Sequence, residues 1–269
     1  MPSASQGYFF DSHCHLDFDS FESDIDDVLQ RSFDAGVLKM CTIGAGEDLR
    51  SAQAAIALSE RYPNHIVASV GIHPHDAKNV QQSTLDSLQA LATKKQVVAI
   101  GETGLDYHYS HSPHEVQQEV FRQFIALGKT LKKPIIVHTR NAADDTIRIL
   151  KEEKASEIGG VIHCFSEDTV FARRALDLGF VSSFSGIVTF KTAIEIQLAA
   201  AAQPDDALLI ETDAPFLAPI PKRGKRNEPS LLVHTAKKIA ELRGQSLERI
   251  RELSTRNAEK LYGFDALPA

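Results

Sequence analysis

The sequence predicts an α/β protein, a single-domain TIM-type (β/α)8 barrel with parallel strands and C-terminal closing helices. Eight short apolar runs recur along the chain, and each is followed by a segment with the 3.6-residue periodicity of a helix. The runs begin about 28 residues apart on average, which is typical of a βα unit. Strict alternation of strand and helix requires parallel strands and right-handed crossovers. A doubly wound open sheet is the alternative arrangement.

The predicted elements follow one another without interruption. Apolar residues have helical spacing in the segments 25–33 and 116–127, for example. Residues 228–261 are predicted to form two closing helices separated near Gly244, with no sign of a second core. The strands are predicted at 8–10, 39–43, 66–70, 97–100, 134–137, 161–162, 180–187 and 207–210.

Length and composition are those of one globular domain over 1–269. The chain is 43% hydrophobic and 24% charged, which excludes disordered, collagen-like and low-complexity proteins. Barrels of this class commonly reach about 250 residues as one unit. No Pro-, Gly- or Ser-rich linker divides the middle of this chain.

The sequence predicts neither a membrane protein nor a secreted one. The longest stretch without Asp, Glu, Lys or Arg is 62–75, shorter than the roughly 18 residues of a membrane-spanning helix. The N-terminal MPSASQGYFF lacks the charged and apolar regions of a secretory signal. Three cysteines, Cys14, Cys41 and Cys164, do not suggest a disulfide framework. We expect a cytoplasmic protein with no membrane partner and no obligate protein partner.

Polar residues appear where the predicted strands end. Strand 1 is followed by Asp-Ser-His-Cys-His, strand 4 by Gly-Glu, strands 5 and 6 by single histidines, and strand 8 by Glu-Thr-Asp. In a parallel barrel the carboxyl ends of the strands form one rim, which holds the active site. The sequence therefore predicts a site at this rim made of His13, His15, Glu102, His138, His163 and Asp213.

Imidazole and carboxylate groups together are the ligands of zinc, manganese, cobalt or iron. His13 and His15 alternate along a strand and so point the same way. Six ligands are too many for one catalytic zinc and suit two ions about 3.5 to 4 Å apart, bridged by a carboxylate. Glu102 is the predicted bridge. Asp213 either ligates the first ion or accepts a proton from the attacking water, and we expect it to do both in turn.

Five sequence blocks resemble the TatD family of metal-dependent hydrolases, within the amidohydrolase superfamily. The resemblance covers nearly the whole chain in family order and extends to the RNEP motif at 226–229 and to Asn257. The five blocks are FDSHCHLD (10–17), GETGLDY (101–107), PIIVHTRNAADD (134–145), GVIHCF (160–165) and LLIETDAPFLAP (208–219).

This resemblance implies a divalent-metal-dependent phosphodiesterase acting on DNA, often a 3′ to 5′ exonuclease that prefers single strands. It also implies two ions: one held by His13, His15, Glu102 and Asp213, the other by Glu102, His138 and His163. Activity in the family is commonly supported by magnesium or manganese, whereas four imidazoles favour zinc. The identity of the metal therefore stays open among zinc, manganese and magnesium.

Further residues near the rim are candidates for substrate binding. His73 ends strand 3, where it would contact a phosphate, orient a ligand or simply pack. Arg140 offers a bidentate fork for phosphate, or else forms a salt bridge with Asp144 or Asp145. Tyr107 and Tyr109 border the rim and are placed to stack on a base. A basic cluster follows strand 8, where barrel enzymes often bind phosphate: Lys222, Arg223, Lys225 and Arg226.

Three functions are compatible with the sequence. A deoxyribonuclease acting on single-stranded DNA is favoured by the family resemblance and by the basic cluster. A small-molecule hydrolase acting on an amide, lactone or phosphoester is the alternative, because the same fold serves many reactions. The net charge of −7 mildly favours that alternative over binding of duplex DNA. A non-enzymatic metal-dependent interaction protein is disfavoured, because no ligand position is missing.

Overall fold

The computed structural model describes residues 7–264 and confirms the predicted TIM-type (β/α)8 fold. Eight strands form one sheet in the order β1 to β8, and every neighbouring pair is parallel. The open-sheet alternative is wrong, because backbone hydrogen bonds join β1 to the segment after β8. The first six residues of the stretch searched for a secretory signal lie outside the described residues.

The strands are separated by helices, as the periodicity predicted. Helix α5 is the longest, and the two closing helices α9 and α10 are separated by Gly244, which caps α9 at a φ of +60°. The strands are β1 Phe9–Cys14, β2 Val37–Gly44, β3 Ile66–Val70, β4 Val97–Asp106, β5 Ile135–Arg140, β6 Gly160–Ile162, β7 Phe180–Phe184 and β8 Leu208–Ile210. The α-helices are α1 Asp19–Glu22, α2 Ile25–Asp34, α3 Leu49–Arg61, α4 Gln82–Ala92, α5 His114–Leu131, α6 Ala143–Glu152, α7 Thr169–Leu176, α8 Ile194–Ala202, α9 Leu232–Arg243 and α10 Leu247–Tyr262. Short 3-10 helices are Pro74–Asn79, Ala155–Glu157, Gly186–Thr189 and Pro229–Leu231.

Five strands are longer than predicted, and two, β7 and β8, are shorter. β1, β4 and β5 continue through polar residues, because the apolar runs mark only the buried part of each strand while the backbone ladder goes on. The predicted strand at 180–187 is too long. β7 ends at Phe184, and the chain turns into a 3-10 helix at Gly186, where a Cβ would lie 2.1 Å from the Leu217 carbonyl oxygen.

The barrel is closed by backbone hydrogen bonds between its first strand and the residues after its last. The Asp213 N–H donates to the His13 carbonyl oxygen at 2.9 Å, and the His15 N–H donates to the Ala214 carbonyl oxygen at 2.7 Å. The buried Asp11 carboxylate strengthens the same seam by accepting hydrogen bonds from the backbone N–H and the hydroxyl of Thr212.

Helix α10 spans this seam from the outside. The Asn257 amide donates to the carbonyl oxygens of Asp205 and Leu208 at 2.9 and 3.0 Å, on the β8 side. On the β1 side, the Thr255 hydroxyl donates to the Tyr8 carbonyl oxygen at 2.8 Å, and the Tyr262 hydroxyl donates to that of Ser12 at 2.9 Å. The last helix therefore joins the two ends of the sheet.

Apolar side chains fill two layers, one inside the barrel and one between the strands and the helices. Phe10 is fully buried in the inner layer, with its ring centroid 5.8 Å from that of Tyr262. Residues 7–264 contain no helix with both the length and the hydropathy needed to cross a membrane.

We expect Phe10→Ala to lower the free energy of unfolding by about 3 to 5 kcal/mol, because it leaves a cavity inside a closed barrel. Urea titration followed by circular dichroism measures this loss. Val170→Ala is the matched control, since Val170 is 63% exposed and its truncation should change stability by no more than about 0.5 kcal/mol. A loss of less than about 1 kcal/mol for Phe10→Ala would contradict the assigned core.

Candidate metal centre

The carboxyl ends of the strands bring the six predicted ligand residues to one rim. Their donor atoms form overlapping groups in which every atom lies within 4.8 Å of the others. His13, Glu102 and His138 lie within strands, and the other three residues follow the ends of β1, β6 and β8. Among the described residues, the groups able to hold a cation are His13, His15 and Asp213; His13, Glu102 and His163; and His73, Glu102 and His138.

The first group joins β1 to the loop after β8. The Nε2 atoms of His13 and His15 are 3.3 Å apart and lie 3.6 and 3.4 Å from Asp213 Oδ1. Two ligand nitrogens on a tetrahedral ion with bonds of about 2.1 Å would be separated by about 3.4 Å. All three side chains are buried. The spacing and chemistry of these donors therefore fit a divalent cation.

Glu102 lies between the imidazoles and presents one carboxylate oxygen to each side. Gly101, before it, has a φ of +135°, and a Cβ there would lie 2.5 Å from the Ile136 carbonyl oxygen. Only glycine allows β4 to approach β5 so closely at this point. The Glu102 Oε1 atom is 2.7 Å from His163, 2.9 Å from His138 and 3.4 Å from His73; Oε2 is 3.4 Å from His13 and 3.9 Å from His15.

Two buried carboxylates behind the imidazoles hold them in orientation. Glu211 Oε1 lies 3.4 Å from His163 Nδ1 and accepts a hydrogen bond from the Cys164 N–H at 2.6 Å. Asp106 Oδ2 lies 3.2 Å from His138 Nε2 and 3.0 Å from His75 Nε2. Carboxylates placed in this way fix the tautomer and the direction of a ligating imidazole.

Our sequence interpretation did not assign these positioning residues to the site. Glu211 was noted only as part of a polar strand end. Asp106 had one signal in its favour: it lies four residues after Glu102 in β4, so both face the same side of the sheet. His73, predicted to contact phosphate or orient a ligand, lies beside Glu102 and His138 within a possible metal group.

The imidazoles favour the ionised forms of Glu102 and Asp213 by lowering the pKa of each. Burial raises the pKa of Glu102. The neighbouring imidazoles, above all the charge of His163, outweigh burial and hold this pKa well below its usual range. Burial is likewise outweighed at Asp213, where a hydrogen bond from His15 lowers the pKa. Burial lowers the pKa of His73 to about 3, so this imidazole is neutral at pH 7.

Three of the other imidazoles have raised pKa values. Burial lowers the pKa of each, and the facing carboxylates outweigh it: Glu102 for His163, Asp213 for His15, and Asp106 with Glu102 for His138. His13 is different, because burial and the charge of His163 together lower its pKa.

Arg140 does not form the predicted salt bridge. Asp144 pairs with Arg174 at 2.7 Å and Asp145 pairs with Arg148 at 2.9 Å, so the salt-bridge alternative is wrong. The Arg140 guanidinium instead lies over the Tyr109 ring, 4.8 Å from its centroid. Within residues 7–264 it has no ion-pair partner.

Three of the four side chains in the basic cluster have no ion-pair partner within residues 7–264, and the fourth is paired. Lys222, Arg223 and Lys225 are exposed in the loop after β8, and the Arg223 guanidinium lies 4.5 Å from the Phe190 ring centroid. Arg226, grouped with them as a phosphate contact in our prediction, is 2.6 Å from Asp24. Its charge is neutralised there, and it fastens the loop to the segment before α2.

Residues 10–263 match the family described as TatD-related DNase. The chain is 42% identical over 253 residues to the uncharacterized metal-dependent hydrolase YabD of Bacillus subtilis (strain 168), covering 94% of this chain and 98% of that protein. It is 43% identical over 262 residues to the uncharacterized metal-dependent hydrolase YcfH of Escherichia coli (strain K12), covering 96% and 97% of the two chains.

Solved structures agree with this result. The crystal structure of YjjV, a TatD homolog from Escherichia coli K12, superposes with a TM-score of 0.89 at 30% identity, covering 95% of this chain and 98% of that one.

We expect divalent cations to bind with release of protons and with an affinity that rises with pH. The pKa values of His15, His138 and His163 are raised in the metal-free protein, so protons compete with the cation until the pH exceeds those values. Calorimetry in buffers of different ionisation enthalpy counts the protons released. His65→Gln is the control, because His65 lies outside the centre and bonds the Leu38 carbonyl oxygen at 2.8 Å. An affinity independent of pH between about 6 and 8 would contradict this interpretation.

Proposed function

We propose that this chain, which belongs to the family of TatD-related DNases and is a metal-dependent hydrolase, has DNA as its substrate. Specifically, we propose that it cleaves phosphodiester bonds of single-stranded DNA from the 3′ end. The observation that carries the proposal is the position of Glu102, whose two oxygens face separate groups of imidazoles. A carboxylate placed in this way suits the bridge of a two-ion centre.

The distances between donor atoms at this rim support two sets of metal ligands that share Glu102. His13, His15, Glu102 and Asp213 would hold one divalent ion, and Glu102, His138 and His163 would hold the second. When bound, such ions polarise the phosphoryl oxygen and lower the pKa of water. We leave the metal open among zinc, manganese and magnesium.

Asp213 is proposed to take the proton from the attacking water. Its side chain is at the rim, and its Oδ1 atom faces the imidazoles of His13 and His15. Its pKa is lowered by His15, so the carboxylate is in the ionised form that accepts a proton. The backbone bond from its N–H to the His13 carbonyl oxygen keeps it in place.

Phosphates of the strand are proposed to contact Arg140, Lys222, Arg223 and Lys225. Arg140 follows His138 by two residues in β5, so it lies on the same side of the strand. The three other charges are in the loop that also carries Asp213. We exclude Arg226 from this set because Asp24 already neutralises its charge.

The metal-loaded protein should shorten a 5′-labelled single-stranded oligonucleotide stepwise from its 3′ end. Asp213→Asn keeps the shape of the side chain but removes the basic oxygen, so turnover should fall by about 10² to 10⁴. Gel electrophoresis of the labelled products gives the rate, and elemental analysis gives the metal content.

Asp206→Asn is the matched control, since Asp206 is exposed in the loop before β8, at the opposite end of the barrel. Hydrolysis of amides or lactones with no cleavage of DNA would replace this proposal by the small-molecule hydrolase. Near-parent turnover by Asp213→Asn with its metals retained would move the proton acceptor elsewhere.

Substrate affinity should depend on salt through the basic loop. For single strands the logarithm of affinity falls with the logarithm of salt concentration by about 0.7 per neutralised phosphate. Changing Lys222, Arg223 and Lys225 together to Ala should therefore weaken binding across sequences and reduce the slope by up to about 2. Fluorescence anisotropy of a labelled oligonucleotide measures both quantities.

A second triple variant removes the same net charge from the other end of the barrel. It changes Lys95, Lys151 and Lys260, all exposed and without a recorded ion pair in the described part of the chain. Equal salt slopes for the two triple variants would show that the loop after β8 makes no phosphate contacts.

A further inference from the structure

An exposed aromatic ring lies next to the first group of candidate ligands. Phe216 follows Asp213 by three residues and is 48% exposed. Its ring centroid is 6.1 Å from that of His15 and 5.5 Å from that of Phe18, which it meets edge to face. Phe18 in turn lies 5.0 Å from His15. The ring therefore stands at the rim, supported from behind by a second aromatic side chain.

The backbone that carries this ring is held firmly. The Phe216 N–H donates to the Asp213 carbonyl oxygen at 2.9 Å, closing a tight turn. The Phe216 carbonyl oxygen accepts a hydrogen bond at 2.6 Å from the side-chain amide of Asn227, which is fully buried. The same amide donates to the Thr212 carbonyl oxygen at 2.8 Å. A fixed backbone with an exposed ring is the arrangement of a binding platform rather than of a packing residue.

A second exposed ring lies on another side of the centre. Tyr109 is 52% exposed, stands 5.5 Å from the His75 ring and carries the Arg140 guanidinium over its face. The Arg140 guanidinium covers one face of this ring, and the His111 ring lies parallel to it with the two centroids 5.7 Å apart. Within residues 7–264 no cation lies over the Phe216 ring, so of the two rings it is the one free to receive a flat aromatic ligand.

We propose that Phe216, supported by Phe18, is a stacking platform for the base of a nucleotide next to the scissile phosphodiester. This inference rests on the proposed function and deepens it by naming the part of the substrate that is recognised. Stacking requires no particular base, because every base has a π face. It does require the base to leave its neighbours, which favours single strands and frayed ends over intact duplex.

The test uses oligonucleotides that differ only in the bases next to the scissile bond. In one series each flanking nucleotide in turn carries a tetrahydrofuran in place of its sugar and base, so the phosphates are unchanged. We expect Phe216→Ala to lower kcat/KM for the intact oligonucleotide about 10- to 100-fold. One of the tetrahydrofuran substrates should be cut by Phe216→Ala as fast as by the parent.

Two further variants separate stacking from folding. Phe216→Trp keeps a flat aromatic face and should retain the activity of the parent on the intact oligonucleotide. Ile220→Ala is the matched control, because Ile220 is an apolar side chain of the same loop and is 40% exposed. It should leave all rates and the metal content unchanged.

A binding measurement supplies a readout that does not depend on turnover. An uncleavable phosphorothioate oligonucleotide with 2-aminopurine at the sensitive position should lose fluorescence when it binds the parent protein, since stacking quenches this base. Phe216→Ala should abolish that quenching.

Three outcomes would overturn the inference. They are unchanged cleavage of intact DNA by Phe216→Ala, equal slowing of intact and tetrahydrofuran substrates by that variant, and persistence of the 2-aminopurine quenching. If the parent protein cleaves no oligonucleotide at all, the proposed function fails first and the platform fails with it. The parent control thus distinguishes the two failures.

Discussion

The architecture of this protein depends on one seam, the set of backbone hydrogen bonds that closes β1 onto the chain after β8. The groups that make those bonds belong to His13, His15, Asp213 and Ala214, and the side chains of the first three form one of the candidate metal groups. The same short stretches therefore close the sheet and set the distances between the donor atoms. A shift along the seam would move two imidazoles relative to the facing carboxylate. Closure of the barrel and geometry of the centre are consequently one constraint.

Burying so many ionisable groups is tolerable only because they face one another. A lone carboxylate at the depth of Glu102 would lose several kcal/mol of hydration free energy, and removing any one partner exposes the remainder to that cost. Here five imidazole nitrogens lie within 4 Å of the Glu102 oxygens. Asp106 and Glu211 then hold two of those imidazoles from behind. The result is a polar network of facing imidazoles and carboxylates, in which the rings of His138 and His163 have a defined direction before any cation arrives.

The order of the strands and the residues at the rim could be predicted from the sequence, because strand periodicity and the topology of parallel barrels place all carboxyl ends together. The roles of Asp106 and Glu211 could not be predicted, since they depend on which imidazole each carboxylate meets across the sheet.

The basic cluster shows a second limit of prediction from the sequence. Four neighbouring charges look equivalent in the sequence, yet Arg226 is neutralised by Asp24, about 200 residues earlier in the chain. Most strands extend beyond their apolar runs, because polar residues pair their backbones as well as apolar residues do.

Helix α10 braces the seam through hydrogen bonds to residues made much earlier in synthesis. Its hydrogen bonds connect residues about 250 positions apart, from Tyr8 and Ser12 to Thr255 and Tyr262. Contacts of such long range form late, because the loss of chain entropy must precede the gain in packing. During synthesis, β1 is complete long before its partner β8 and the helix that joins them exist. A nascent chain can form the early βα units, but the β1 side of the seam lacks its hydrogen-bond partners until residues 213 and 214 have been made. The hydrogen bonds by which α10 braces the seam become possible only once that helix has been synthesised.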